Sequence, residues 1–229
     1  MKYFIANWKA RKTYAQSIHW IHQFYHLLEQ NTRVQAALEN KEISVIICPA
    51  APFLISLEQQ REHTLGIYWG VQDISFKTEG SYTGEIPATM YQDIAHYAII
   101  GHSERRNYFS ETELLIKTKI ALAIQAQLQP ILCIRSPDDI FYPEVPMVAY
   151  EHTNAIGTGN NVPVEEVLNF KSQLSLTTSH KFIYGGSVTG QNSNIYLDTD
   201  QIDGLLIGGA SLDPNTFFTL VAQFVAKRP

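Results

Sequence analysis

The 229-residue sequence predicts an α/β protein built as a closed (β/α)8 barrel, and three observations support this. Short β-type runs alternate with longer helix-type stretches along the chain. Most of the runs are continuously apolar, as expected of parallel strands covered on both faces. Nearly every polar or glycine-rich cluster falls just after such a run, so closing the strands into a barrel would put all the clusters on one rim. An open doubly wound sheet is the competing architecture. No composition shift marks a linker, and residues 1–229 read as one domain, within the roughly 200–250 residues such barrels use.

The first run, Tyr3–Ala6, leads into Asn7-Trp8-Lys9. A stretch of helical periodicity, Thr13–Gln30, comes before the second run, Ile43–Cys48. The third run, Ile67–Val71, opens onto Gln72–Glu85, a length without regular pattern that is uncommon unless functional. The fourth, Ala98–Ile100, ends in Gly101-His102-Ser103-Glu104-Arg105-Arg106, and a helical stretch, Thr112–Gln127, precedes the fifth, Pro130–Cys133. Pro137, Pro143 and Pro146 crowd the next connection, which predicts a reduced or missing helix between strands five and six. The sixth run, Met147–Tyr150, ends on Glu151. Pro163 suits the first turn of a helix over Val164–Gln173. The seventh run, Phe182–Tyr184, precedes Gly185-Gly186-Ser187, and the eighth, Gly204–Ile207, precedes Gly208-Gly209-Ala210-Ser211. Asp213-Pro214 reads as a cap and first residue for a last helix reaching Ala226.

Composition narrows the function classes. A net charge of −5 without a Lys/Arg block argues against a nucleic-acid surface. The longest apolar runs fall far short of the ~18–20 residues that span a bilayer. Met1–Asn7 has too short an apolar core for a signal peptide. Cys48 and Cys133 each close a strand-like run and read as buried free thiols of a cytoplasmic protein. His22 and His26 have the spacing of a metal pair on a helix but lack the accompanying Glu of a zinc-protease motif, so no metal site is expected. No dinucleotide or P-loop fingerprint is present.

The rim clusters carry the chemistry. Lys9 is either a solvated rim charge or a fixed positive charge for an anionic substrate. His102 falls near the start of a short helical turn, whose positive end disfavours imidazolium and leaves a neutral ring able to donate a hydrogen bond to a carbonyl. Glu104 is placed to pair with Lys9; a plain capping and salt-bridge cluster is the alternative. The paired glycines after runs seven and eight let backbone N–H groups approach an anion, at the usual phosphate position of barrel enzymes. Glu151, at a strand end before a glycine-containing loop, is the candidate base.

In this order, Ala6-Asn7-Trp8-Lys9, Thr83-Gly84-Glu85, Ile100-Gly101-His102-Ser103-Glu104-Arg105-Arg106, Ala149-Tyr150-Glu151 with Ala155-Ile156-Gly157-Thr158-Gly159, Tyr184-Gly185-Gly186-Ser187-Val188 and Ile207-Gly208-Gly209-Ala210-Ser211-Leu212 resemble the triosephosphate isomerase family. The resemblance spans essentially the whole chain. It implies interconversion of dihydroxyacetone phosphate and glyceraldehyde 3-phosphate, a step of glycolysis and gluconeogenesis. By that resemblance Glu151 is the base, and neutral His102 and Lys9 face the oxyanion. Asn7 fixes geometry, Glu104 supports Lys9, and Gly157, Ser187, Gly208 and Gly209 bind the phosphate. The family works without a cofactor, as a homodimer in which the loop carrying Thr83 enters the neighbouring subunit. A neutral catalytic histidine and a closing lid are established features of that family.

Two departures stand out. The family usually has Pro-x-Trp after the base, where this chain has His152-Thr153-Asn154, and Cys-Ile-Gly-Glu after strand five, where it has Cys133-Ile134-Arg135-Ser136. They leave open two other functions: an isomerase of a related sugar phosphate such as a tetrulose phosphate, and an idle barrel acting as a binding protein.

Overall fold

The computed structural model describes residues 1–61, 65–152 and 162–228. Its strands are β1 (Lys2–Asn7), β2 (Ile43–Cys48), β3 (Ile67–Val71), β4 (Tyr97–Ile100), β5 (Gln129–Ile134), β6 (Met147–Tyr150), β7 (Lys181–Tyr184) and β8 (Gly204–Ile207). All eight are parallel and close in chain order into a single barrel, not an open sheet. Each predicted run lies within one of these strands.

The continuous apolar character of the runs has a direct cause. Ile5, Ile99, Ile131, Ile183 and Leu206 pack together inside the barrel, while Phe4, Val45, Leu132, Phe182 and Ile207 pack outward with the helices. Neighbouring residues along a strand point to opposite faces, and both faces are dry. Closure depends on Gly204, which pairs with Tyr3. A Cβ at Gly204 would lie 2.2 Å from the Tyr3 carbonyl oxygen, so no other residue fits there without moving a strand.

The helices are α1 (Tyr14–Glu29), α2 (Thr32–Glu39), α3 (Leu54–Glu58), α4 (Ser103–Tyr108), α5 (Glu113–Gln125), α6 (Val164–Gln173), α7 (Ser193–Leu197) and α8 (Pro214–Ala226). Thr13 and Gln16 cap α1 reciprocally, each side chain accepting from the other's backbone N–H. Asp213 caps α8 as expected, accepting from the Thr216 N–H at 2.7 Å, with Pro214 in the first position. Pro163 stands one residue earlier than expected, as the N-cap of α6. Three helices, α2, α3 and α7, escape the periodicity because they are short; α2 buries only Val34, Ala37 and Leu38. Among the described residues no helix is long and apolar enough to cross a membrane. Cys48 and Cys133 are free and buried, and burial pushes both thiols well above their ordinary pKa.

The β5–β6 connection has no helix, as its prolines predict. Asp139 organises it instead. Its carboxylate accepts from the Arg135 backbone N–H (2.8 Å), from Arg135 Nε (3.0 Å) and from Arg135 Nη2 (2.8 Å). Arg106 lies 3.5 Å away, and its guanidinium also pairs with Glu113. Tyr142 donates to the Glu113 carbonyl at 3.2 Å, pinning the far part of the loop to α5. Burial alone would push the Asp139 carboxyl up, but the Arg135 hydrogen bonds and the Arg106 charge outweigh it and hold it below its ordinary value.

A carboxylate whose pKa is lowered by folding stabilises the fold fully above the unfolded value of about 3.9, and that contribution is lost as pH falls through the folded value. Asp139→Asn is therefore expected to cost on the order of 1–3 kcal/mol at pH 7. The gap between variant and parent should narrow below about pH 4. Denaturant unfolding at pH 7 and pH 3.5 checks both the loss and its narrowing.

Candidate active site

Closing the barrel gathers the strand ends at one rim. Asn7 ends β1, and Lys9 follows with a positive φ of 51°, a strained conformation for a residue with a side chain. Two side chains hold it there. Asn7 Oδ1 accepts from the Lys9 N–H at 3.1 Å, and Gln72 Nε2 donates to the carbonyls of Lys9 and Cys48, both at 3.0 Å. The Lys9 ammonium then reaches Glu104, 2.8 Å away across the rim, the pair expected from the sequence. Gln72 was not among the predicted site residues; its position just past β3 was the available signal.

His102 is the N-cap of α4, and its Nδ1 accepts from the Glu104 N–H at 3.2 Å. With Nδ1 used as an acceptor, the proton of the neutral ring sits on Nε2. That nitrogen is 2.9 Å from Glu151 Oε1. Glu151 itself is only 1% exposed, and its other oxygen takes the Ser103 N–H at 2.8 Å. Ser103 Oγ lies 3.4 Å from Oε1. Burial by itself would raise the Glu151 carboxyl; the His102 ring, the Ser103 N–H and the Lys9 ammonium outweigh it and keep it below the usual carboxylate range. The group is thus an ionised carboxylate near neutral pH, held in a buried position by His102 Nε2 and by the N–H and hydroxyl of Ser103. Ser103 was also missed as a site residue. It occupies the first position of α4, where a backbone N–H has no partner within the helix.

The opposite wall is backbone. Asn192 Nδ2 donates to the Ser187 carbonyl at 2.8 Å, and its Oδ1 accepts from the Thr189 N–H at 2.8 Å, which shapes the turn after β7. After β8, Ser211 Oγ donates to the Gly208 carbonyl at 2.7 Å. A Cβ at Gly209 would meet nothing within 4 Å, so the missing side chain leaves open space and not a packed contact. Asn7, Lys9, His102, Glu151, Ser187, Gly208 and Gly209 all line one cavity of about 410 Å3. Glu104 lies behind Lys9, lining the neighbouring cavities. Gly157 falls outside the described residues.

The arrangement sets an ionised carboxylate, an imidazole N–H and an ammonium group on one side of a small cavity, with close-approach glycine backbone on the other. It can move a proton on a small anionic molecule. The sequence model of the family described as triosephosphate isomerase matches residues 2–140 and 143–224. The chain belongs to the triosephosphate isomerase family. It is similar to a protein named triosephosphate isomerase from Dictyoglomus thermophilum, 34% identical over an alignment of 254 positions, with 96% of this chain and 98% of the relative covered. Relatives of the same name from Aquifex aeolicus (31% identity; 96% and 98% covered) and Thermus thermophilus (32%; 94% and 95%) match over similar lengths.

Both departures from the family pattern have partners in the structure. Arg135 folds onto Asp139, and its Nη1 also donates to Asn107 Oδ1 at 3.1 Å. His152 Nε2 lies 3.1 Å from Glu166 Oε1 on α6. Residues 153–154, the rest of the unusual hinge, lie outside the described residues.

Gly186 tests the backbone wall. A Cβ there would stand 2.0 Å from Tyr184 Oη, a hydroxyl whose ring packs against Tyr196 with ring centroids 4.1 Å apart. Gly186→Ala is expected to lower stability by about 1–3 kcal/mol through this clash. Thermal unfolding of the variant beside the parent measures it.

Proposed function

We propose that this chain interconverts dihydroxyacetone phosphate and D-glyceraldehyde 3-phosphate by a 1,2-proton shift through an enediolate. The observation that carries the reading is the convergence of Glu151, His102 Nε2 and Lys9 on one cavity whose far wall is the glycine backbone after β7 and β8. The names borne by relatives across nearly the whole chain support it.

In the proposed cycle Glu151 exchanges its Ser103 bond for the substrate and takes a proton from the carbon beside the carbonyl. The carbonyl oxygen gains charge as the proton leaves. The His102 Nε2–H and the Lys9 ammonium meet that charge in a site sheltered from water, where fixed donors act most strongly. Glu104 keeps the ammonium in place, and Asn7 holds the strained Lys9 backbone. The hydroxyl proton of the first carbon passes by way of His102 Nε2 to the former carbonyl oxygen, and Glu151 returns its proton to the former carbonyl carbon. The proton stays within the site and no electron pair leaves the substrate, so the mechanism needs no cofactor. Gly157, Ser187, Gly208 and Gly209 hold the phosphate, whose negative charge suits close backbone N–H groups. General-base catalysis contributes roughly 10²–10⁴-fold, and the oxyanion donors supply much of the remainder.

Purified protein given triose phosphates and tetrulose phosphates side by side should turn over the triose with the higher kcat/KM; preference for the tetrulose, or no turnover of either, overturns the reading. Glu151→Gln should lower kcat at least ~10²-fold with little change in the affinity for inorganic phosphate. A kcat near the parent's would remove Glu151 from the role of base.

We also propose a symmetric cytoplasmic homodimer. The loop 72–86 between β3 and β4, which carries Thr83, displays Phe76, Tyr82 and Ile86 to solvent, and Phe109 is exposed nearby at the end of α4. Beside it lies a cavity of about 520 Å3 lined by Lys9, Gln72, His102 and Glu104, so a loop from a second copy seated there would support the catalytic lysine and histidine from behind. Sedimentation equilibrium should give twice the chain mass of 25.9 kDa. Thr83→Arg is expected to shift the protein to monomer and reduce kcat.

A further inference from the structure

The residues on either side of Glu151 both reach the same helix. Tyr150 stacks on Phe170 of α6, with ring centroids 3.8 Å apart and planes at 10°. The His152 ring meets Tyr150 edge-on at 5.9 Å and 90°, and its Nε2 lies 3.1 Å from Glu166 Oε1. Glu166 and Phe170 are four residues apart, neighbours on one face of α6. Backbone bonds hold the strand end from the barrel side: the Glu151 N–H donates to the Ile134 carbonyl and the Gly185 N–H to the Tyr150 carbonyl, each at 2.8 Å. The two side chains of α6 hold it from the outer side.

The helix is a firm support. Val167 and Phe170 are buried in the core. Just before the helix, the Val162 carbonyl accepts from the buried Tyr196 hydroxyl of α7 at 2.6 Å. A proline at position 152 would restrict φ through its ring; His152 leaves φ free, and the bond to Glu166 restores a restraint by another route.

We infer that Glu166 and Phe170 are positioning residues that act on the catalytic base through His152 and Tyr150. The inference deepens the isomerase reading and rests on it for the role of Glu151. The buried stack is the stronger half of the clamp. Glu166 is half exposed, so its bond to His152 is the weaker half. The clamp sets how the last peptide of β6 is turned, and with it whether the carboxylate points at His102.

The test compares Glu166→Ala, Glu166→Gln and Phe170→Leu in the full-length protein. Measurements are kcat and KM on glyceraldehyde 3-phosphate, melting temperature, and a crystal structure of Glu166→Ala. Gln keeps an acceptor for His152 Nε2–H. Glu166→Ala is expected to lower kcat about two- to fivefold with KM changed less than about twofold. Phe170→Leu should lower kcat further, and Glu166→Gln should stay within about twofold of the parent. In the Glu166→Ala crystal the Glu151 carboxylate should turn away from His102 Nε2, from which it stands at 2.9 Å in the parent. An unmoved carboxylate with parental kcat overturns the clamp. So does a loss shared equally by Ala and Gln, or one carried by KM or by melting temperature alone. A parent without isomerase activity sinks the isomerase reading instead, and the crystal structure still decides the clamp.

Discussion

Pairing β8 with β1 sets Gly204 against Tyr3, and a Cβ at Gly204 would stand 2.2 Å from the Tyr3 carbonyl oxygen. With hydrogen in that place the two strands meet and the sheet has no free edge. Closure then dictates the rest. All eight strands run parallel, so all eight C-terminal ends share one rim. Asn7 from the first strand comes beside Gly208 from the last. His102 and Glu151, just past the ends of β4 and β6, face each other over the end of β5. Residues that lie far apart in the chain share a cavity only because the ring is complete.

The rim is also organised by charge. Glu151 is nearly sealed from water, which on its own disfavours the ionised form. His102, Ser103 and Lys9 offset that cost. Lys9 is itself balanced by Glu104, and Arg106, tucked under the same loop, by Glu113 and Asp139. Arg106 donates to the Gly101 carbonyl at 2.8 Å, directly before His102, and lies 3.3 Å from the Cys133 carbonyl. The arginine therefore joins the ends of β4 and β5 beneath the reactive groups. The helix-free β5–β6 connection contributes Asp139 to this network, so its loss of a helix does not leave the rim unsupported.

How much of this was legible in the sequence depends on whether the cause is local. The strands were readable because both faces are buried, which makes runs such as Ile43–Cys48 apolar throughout. The cap at Asp213 was readable because a cap acts over three residues, whereas Thr13, read as the start of the helical stretch, is the cap of α1. Three prolines foretold the missing helix. The short helix α2 was not readable, since few of its positions are buried. At the site, residue types and order pointed to Glu151, His102 and Lys9. The contacts between them did not follow from order alone. Ser103 meets Glu151 because β4 and β6 flank β5 in a particular register, and Gln72 reaches Lys9 past the end of β2, which pairs with both β1 and β3. The partners of His152 and Asp139 likewise come from folding, not from spacing along the chain.

The two cysteines report on the ring itself, although Cys133 also contacts Glu151 at the rim. Cys48 and Cys133 stand on β2 and β5, different arcs of the ring, both facing its interior. Thiolate is the form that alkylating reagents attack, and burial suppresses it at both positions. Neither sulfur can be modified while the ring is shut. Their labelling rates therefore act as two internal clocks of barrel opening. Equal rates would mean that the ring opens as one cooperative unit, and unequal rates would show which arc parts first.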